Sequence, residues 1–428
     1  MSLSSRARGL FLDVAPLRLD HDYRLLWSGQ VVSGIGNQVT RLALPFQVWI
    51  LTHSTLAIAA LTAVQLVPIL VFVVGAGSVV DSVDRRRLLF ITQLGLAACS
   101  LAFLGLSLAP APPLVAIFVI AFVAATLGTF DQPARASSIP RLVPSERLPA
   151  AIALNQLNYQ AASVIGPAVG GVLIAVAGLP VAYGVDVLSF GASLVAIWRI
   201  APLPPLGGAV RPGLAAIREG FRFALDRRVI LATFVIDLDA MIFGMPTSLF
   251  PVLALEVFRV GPAGLGLLAA APAIGAFLGA LLSGWVSVVR RVGRAVVVAV
   301  VIWGLAITAF GLSTFFFPLA LVFLAIAGAA DVLSAVLRST VVQLATPDSL
   351  RGRVTALHIL AVTSGPRIGD IEAAAVAAVV GAQASVVSGG ILCLLGVAAV
   401  ARLFPELGAH VVDDPAADDA AAGIEGPT

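Results

Sequence analysis

The chain has 428 residues, of which 59% are hydrophobic and only 11% charged, with a mean hydropathy of +1.04 and a net charge of +3. Those values exclude a soluble globular domain of this length. Two Cys and four scattered His leave no set from which to build a disulfide framework, a zinc site or a cysteine nucleophile with its base, so no metal and no cofactor are expected.

Residues 1–22 read as a cytoplasmic N-terminal segment. Positions 1–20 hold no apolar core followed by a cleavage site, so no removable signal peptide is expected and the first span directs insertion. Uncharged apolar runs of about 20 residues, enough to cross roughly 30 Å of hydrocarbon, then recur along the chain. Breaks at charges, Pro and Gly predict twelve helical spans. The first half, 23–200, holds six near 24–50, 57–80, 88–108, 113–134, 150–177 and 180–199; the second, 229–404, holds six near 229–255, 262–289, 295–315, 318–338, 353–380 and 384–403. The runs are continuous rather than alternating, which argues against a β-barrel. The fold class is therefore all-α integral membrane, two six-helix halves whose spans satisfy their own backbone hydrogen bonds. The cytoplasmic linker 201–228 contains Leu214–Arg228, which reads as an amphipathic helix on the membrane surface. Residues 405–428, rich in Asp and Ala, are expected to be a disordered acidic tail. Cys99 and Cys393 fall inside spans, as packing residues do.

Every one of the 26 basic residues is Arg. Arg259 falls in a connector on one side, Arg41 and Arg367 inside spans, and all others on the opposite side. By the positive-inside rule both termini are cytoplasmic, in a plasma (inner) membrane. The positive charge thus reports topology and lipid contact, with no nucleic-acid partner implied. The densest charge lies in the connector after the second span, where Asp81, Asp84, Arg85, Arg86 and Arg87 follow Gly77 within a few residues.

An internal repeat underlies the halves. An offset of 203, Arg338 minus Arg135, also superposes Pro144 on Pro347, Leu154 on Leu357 and Gly166 on Gly369, and sets the Arg85–Arg87 run beside Arg290, Arg291 and Arg294. Two halves joined by a longer cytoplasmic linker is the layout of a transporter with a central site. At the same offset Asp81 falls on Gly284, so the acid of this connector is confined to the first half.

Over residues 20–405 these features resemble the major facilitator superfamily. Its signature after the second span begins with Gly, has Asp at the fifth position and ends in a basic run, as Gly77, Asp81 and Arg85–Arg87 do. Ser82 stands where a basic residue is usual and Asp84 where Gly is usual. The Asp-Arg-Arg-Arg form, with Trp27–Gly36, Pro347–Arg353 and Gly389–Cys393, is similar to the enterobactin-exporter-like, drug-efflux branch. The resemblance implies a cytoplasmic gate in which an acid at a helix end pairs reversibly with Arg and with a neighbouring helix N-terminus. Gly77, Asp81, Asp84, Arg85, Arg86, Arg87, Arg135 and Arg338 are its candidates. Gly166, Pro167, Gly170 and Gly171 match part of the antiporter signature, with Ala153 and Ala162 where Gly is usual. Small residues at this spacing allow close helix approach and the Pro bends the span.

Ionisable and amide side chains inside spans are the candidates for a substrate and proton cavity. Asn37, Gln38 and Arg41 share one face of the first span, although the related branch often has Asp in place of Asn37. Asn155 and Tyr159 lie near the cytoplasmic end of the fifth. On the seventh, Asp237 and Asp239 point about 200° apart at about 100° per residue. On the eleventh, His358 and Glu372 share a stripe with Gly365 and Gly369, while Arg367 and Asp370 are spaced to pair. Asp237 or Asp239 with Asp370 or Glu372 is expected to include the protonation site, tuned by Arg41 or Arg367; a static charge pair joining helices is the equal alternative. Asp186 and Asp331 read as packing or gate elements.

The expected function is secondary export of an amphiphilic small molecule, a drug or siderophore-like compound, coupled to inward proton movement, by a monomer in the lipid bilayer. A nutrient-importing symporter is the alternative within transport, and an intramembrane enzyme or lipid-handling protein the alternative outside it. No phosphate-binding loop and no Lys occur, which disfavours ATP-driven transport by this chain.

Overall fold

The computed structural model describes residues 13–205 and 214–409. The start of the N-terminal segment, the middle of the linker and all of the acidic tail beyond 409 lie outside the described residues. Among the described residues every regular element is helical. In chain order these are α1 (Ala15–Leu19), α2 (His21–Thr52), α3 (Thr55–Ser82), α4 (Arg85–Ser107), α5 (Leu114–Leu142) and α6 (Leu148–Arg199). They continue with α7 (Leu214–Asp226), α8 (Arg228–Phe243), α9 (Gly261–Leu281), α10 (Val292–Leu312), α11 (Phe317–Ala345), α12 (Asp348–Val380), α13 (Ala382–Leu403) and α14 (Pro405–Ala409).

Among the described residues nine helical stretches are long and apolar enough to cross a membrane. The longest contains α6, which turns at Gly178 (φ 78°) and so supplies two spans. Only a residue without Cβ takes that conformation without strain, and Pro180 then restarts the helix. α2 and α12, 32 and 33 residues long, are also long enough but carry the polar stripes of Asn37, Gln38 and Arg41 and of Arg367, Asp370 and Glu372. With these two the twelve spans are complete.

Several helix limits differ from those expected; α9, expected to reach 289, ends at Leu281 and is followed by a 3₁₀ stretch, Ser283–Val288. α5 continues past 134 to Leu142, and α11 past 338 to Ala345, so Arg135 and Arg338 are helix-interior residues rather than residues at or beyond the span end. A charge ends a span only if it must reach water. Arg135 is neutralised by Asp131 one turn earlier at 3.1 Å, and the Ser138 hydroxyl donates to the Ala134 carbonyl at 2.7 Å near Pro140. The seventh span is discontinuous: α8 stops at Phe243, and after Gly244 and Pro246 a 3₁₀ turn (Thr247–Leu249) leads through Phe250–Val252 into a π-turn (Leu253–Val257). Pro246 removes a backbone donor and disfavours helix at Met245, which ends the ladder there.

The repeat is a property of the backbone. α5 and α11 coincide at both ends under the 203-residue offset, and Gly178 maps onto Gly381, whose φ is also left-handed at 88°.

By internal packing the chain forms two compact units: Met1–Arg211 with Pro246–Ala273 and Asp370–Ser385, and Pro212–Met245 with Ile274–Gly369 and Val386–Thr428. In the first, Leu26, Val80, Leu89, Ala134 and Ile197 form one buried cluster at the charged end of α3 and α4. Tyr23, Ile139, Ala151 and Leu154 form another, and the Tyr23 hydroxyl donates to the Ala151 carbonyl at 2.8 Å. In the second unit, α7 buries Ala224 against Ile230, Val342 and Val354 and its Glu219 pairs with Arg353 at 2.5 Å. Part of the stretch expected to be a disordered tail is ordered: α14 buries Leu407 completely, and its Glu406 holds Arg228 at 2.7 Å. One apolar side chain and one ion pair dock these residues, which composition alone does not reveal.

Candidate functional site

The connector Gly77–Arg87 is a set of helix ends held by charge. Asp84 caps α4, its carboxylate accepting the Arg87 N–H at 3.2 Å, the role an acid at this position favours. Asp81 pairs with Arg85 at 3.2 Å, and the buried Arg85 guanidinium also donates to Ser137 Oγ of α5 at 3.0 Å. Arg86 donates to the Ile197 carbonyl at 3.2 Å and to that of Trp198, closing the last turn of α6. Arg87 is exposed, and a Cβ on Gly77 would touch nothing.

Arg135 does not join that group. It is buried on Asp131, and Asp131 also accepts from Thr92 at 2.8 Å and Gln93 at 2.9 Å. Asp131, Thr92, Gln93 and Ser137 are absent from the residues expected from sequence. The Asp131–Arg135 spacing of four was the available signal.

The small residues of α6 face two different helices. Gly166 and Gly170 lie against α2: a Cβ on Gly166 would collide with the Gln38 side chain, and one on Gly170 would stand 3.3 Å from Val39 Cα. Gln38 Nε2 donates to Ser163 Oγ at 3.1 Å. Gly171 points the other way, where a Cβ would meet the Pro262 carbonyl at 2.6 Å and Gly266 Cα at 2.7 Å on α9. Gly266 in turn meets the Pro167 carbonyl. Asn37, Arg41 and Tyr159 are exposed and Asn155 half-buried. Asn37 and Arg41 extend along the α2 face that carries Gln38, so a polar surface flanks the glycine seam.

Asp370 caps the short turn after α8. Its carboxylate accepts the Ser248 N–H at 2.7 Å and the Thr247 hydroxyl at 2.9 Å, and its carbonyl accepts from Ser248 Oγ at 2.9 Å. Asp370→Ala is expected to lower stability by about 1 kcal/mol, as loss of a helix cap does, seen as a lower unfolding midpoint in detergent. Glu372, two residues further, is half-buried.

In the second unit the two acids of α8 diverge as their spacing requires. Asp237 pairs with Arg338 of α11 at 2.6 Å, each 1% exposed. Arg338 also donates to Ser334 Oγ at 2.7 Å. Asp331 of α11 and His358 of α12 lie within electrostatic range of the pair. The guanidinium at Asp237 is therefore Arg338, a residue expected at the gate, and not Arg41 or Arg367. Arg367 donates along its own helix to the Thr363 carbonyl at 2.7 Å. Asp239 faces α13, against Gly396, where any Cβ would collide with its carboxylate, and beside the Cys393 thiol. Gly365 and Gly369 of the α12 stripe receive Met241 and Ile242 of α8, a Cβ on Gly369 meeting the Met241 carbonyl at 2.5 Å.

Residues 12–416 match the family model described as transmembrane secretion effector. The chain belongs to the major facilitator superfamily. Curated relatives of this transporter include "Enterobactin exporter EntS" of Citrobacter koseri, 27% identical over 361 residues covering 84% of this chain and 86% of that protein. The protein of the same name from Shigella boydii is 28% identical over 367 residues, with the same coverage. Among solved structures, a bacterial homologue of the iron transporter ferroportin in the inward-facing state aligns with TM-score 0.68 at 16% identity, covering 91% of this chain and 99% of that one. The nucleoside transporter NupG aligns with TM-score 0.69 at 12% identity, over 90% and 99%. These likenesses establish the fold. Family and relatives together make the chain a multi-pass membrane transporter of the secondary type, and no enzyme.

Proposed function

We propose that this transporter exports an amphiphilic small molecule, of the drug or siderophore type, in exchange for protons entering the cell. It works as a monomer in the plasma membrane with both termini cytoplasmic. The substrate class and direction rest on the relatives named as enterobactin exporters. The halves 23–200 and 229–404, joined by the linker 201–228, supply the two bodies of an alternating-access cycle.

The observation that carries the coupling is the charge centre of α8, α11 and α12. A fully buried Asp237–Arg338 pair, with Asp331 and His358 near it, gathers two carboxylates and an imidazole about one guanidinium inside the helix bundle. Each proton gained or lost there changes the net charge of a desolvated site, and so the geometry that neutralises it. The polar face of Asn37, Gln38, Arg41, Asn155 and Tyr159 supports a substrate path along the first unit, to which Glu372 also belongs, with His358 and Arg367 as candidate lining of the second. Gly77, Asp81, Arg85 and Arg86 act as the cytoplasmic gate, where the half-exposed Asp81–Arg85 pair is weak enough to exchange partners.

The test is transport into inverted membrane vesicles over a panel that includes a catecholate siderophore and cationic drugs, with and without a proton gradient. Antiport predicts gradient-driven accumulation that Asp237→Asn abolishes. Accumulation indifferent to the gradient removes proton coupling, and accumulation only in right-side-out vesicles makes the chain an importer.

A further inference from the structure

Within the first unit, Asp186 on the second arm of α6 is 1% exposed, and among the described residues no cation pairs with it. Hydroxyls from three helices surround it instead. Thr40 of α2 donates to Oδ2 at 2.6 Å and Ser100 of α4 donates to the same oxygen at 2.7 Å. Ser189, one turn along α6, approaches Oδ1 at 3.4 Å. The proton count around Oδ1 is the informative point. A serine hydroxyl has one hydrogen, and Ser189 commits it to the Asp186 carbonyl at 2.7 Å. At 3.4 Å the Ser189 contact is longer than an O–H···O hydrogen bond, so Oδ1 receives no hydrogen from it.

With a proton on Oδ1, the set is complete. The added proton faces the lone pairs of Ser189 Oγ and removes the charge, while Oδ2 accepts from Thr40 and Ser100. The distances at Oδ2 are those of direct hydrogen bonds, which leaves no gap for a metal ion between the oxygens. Gly36 makes the space, since a Cβ there would meet Oδ1 at 2.7 Å and collide with Ser189 Oγ. An ionised carboxylate this deep without a counter-charge is strongly disfavoured. The titratable and charged groups on the helices packed around it are few. They are Tyr183 one turn back on α6, whose hydroxyl is engaged by Gln47, buried Cys99 beside Ser100 on α4, and exposed Arg41 beside Thr40 on α2.

We infer that Asp186 is a proton-carrying site, separate from the charge centre of α8, α11 and α12, which is loaded in the conformation described here and exchanges its proton through Thr40 during the transport cycle. Thr40 is the half-buried member of the set, whereas Ser100 and Ser189 are buried. It stands next to the exposed Arg41, so its hydroxyl can give its hydrogen to Oδ2 while taking another from the polar face of α2, and rotation of the carboxyl carries the proton between Oδ2 and Oδ1. The role in the cycle rests on the antiport reading above.

Asp186→Asn tests the site, because the amide reproduces the protonated acid: its oxygen accepts from Thr40 and Ser100 and its NH₂ donates to Ser189. The variant should fold with an unchanged unfolding midpoint and still exchange substrate in counterflow, yet lose gradient-driven accumulation. Thr40→Val should slow coupled transport several-fold, with the carboxyl still protonated and its Oδ2 still accepting from Ser100. Infrared difference spectroscopy of the purified full-length protein supplies a readout independent of transport. A protonated-carboxyl band present in wild type and in Thr40→Val, and missing in Asp186→Asn, supports the inference.

Wild type without that band, or Asp186→Asn that retains it, overturns the inference. A band that sodium ions remove in wild type also overturns it, making a metal cation the occupant. If wild-type transport is gradient-driven and Asp186→Asn transports just as well, the coupling role is wrong while antiport stands. If wild-type transport ignores the gradient, antiport fails and the coupling role with it, whatever the band shows.

Discussion

Arg338→Met is expected to destabilise the transporter by about 3–5 kcal/mol, the cost of leaving one member of a buried ion pair without its partner. Arg338 and Asp237 are each 1% exposed and 2.6 Å apart, so neither charge can be rescued by water. Met fills the volume of the Arg stem but supplies no charge and no donor for Ser334. The double variant Asp237→Leu, Arg338→Met should recover most of the stability, since an apolar pair of similar volume replaces a desolvated salt bridge at little or no net cost. It should recover none of the gradient-driven transport. Unfolding midpoints of the purified proteins in detergent, with vesicle transport alongside, measure both. A single variant as stable as wild type would show that the pair contributes no net stability. A double variant that still accumulates substrate against the gradient would remove the charge centre from the coupling mechanism.

Gly171→Val is expected to slow transport roughly 5- to 150-fold, from an overpacking cost of about 1–3 kcal/mol. The obstruction is backbone: the Pro262 carbonyl and Gly266 Cα stand 2.6 and 2.7 Å from where the first new carbon would go, and no rotamer moves them. Gly171→Ala should give a smaller loss of the same kind. Gly184→Ala is the control, because a Cβ there meets nothing within 4 Å. If the seam between α6 and α9 forms in only one conformation of the cycle, a wedge there shifts the population toward the other. Initial export rates compared with the reactivity of a single Cys at position 263, in a background lacking Cys99 and Cys393, separate slowed cycling from a misfolded protein. Equal rates for Gly171→Val and wild type would mean that the seam is not rate-determining.

Much of this molecule is legible without coordinates. Spans could be counted because hydrocarbon thickness demands apolar runs of a set length; the matching left-handed turns at Gly178 and Gly381 come from the structure, which has left-handed turns at His53 and Arg259 as well. The opposed faces of Asp237 and Asp239 follow from helical periodicity, and the structure sends them to α11 and α13. A charge in the sequence is a poorer guide to where a span ends. Arg135 and Arg338 look like the ends of spans, but each finds an acid inside the bundle, and in different ways. In the first half the acid is Asp131, four residues earlier on the same helix. At the equivalent position the second half has Ser334, and its acid is Asp237 on α8. The repeat conserves the guanidinium and relocates the carboxylate, so aligning one half on the other predicts the first partner and misses the second.

By itself the sequence determined what is local or one-dimensional: the number of spans, the faces on which their polar residues lie, and the duplication. Tertiary structure alone decided the pairings. It put Arg338 on Asp237, made Asp370 a cap, set Gly171 against α9, and closed three hydroxyls around Asp186. The physical reason is that a residue's face on its helix follows from periodicity, whereas the neighbour it meets depends on how helices distant in sequence rotate and slide to bury their surfaces, which no local pattern records.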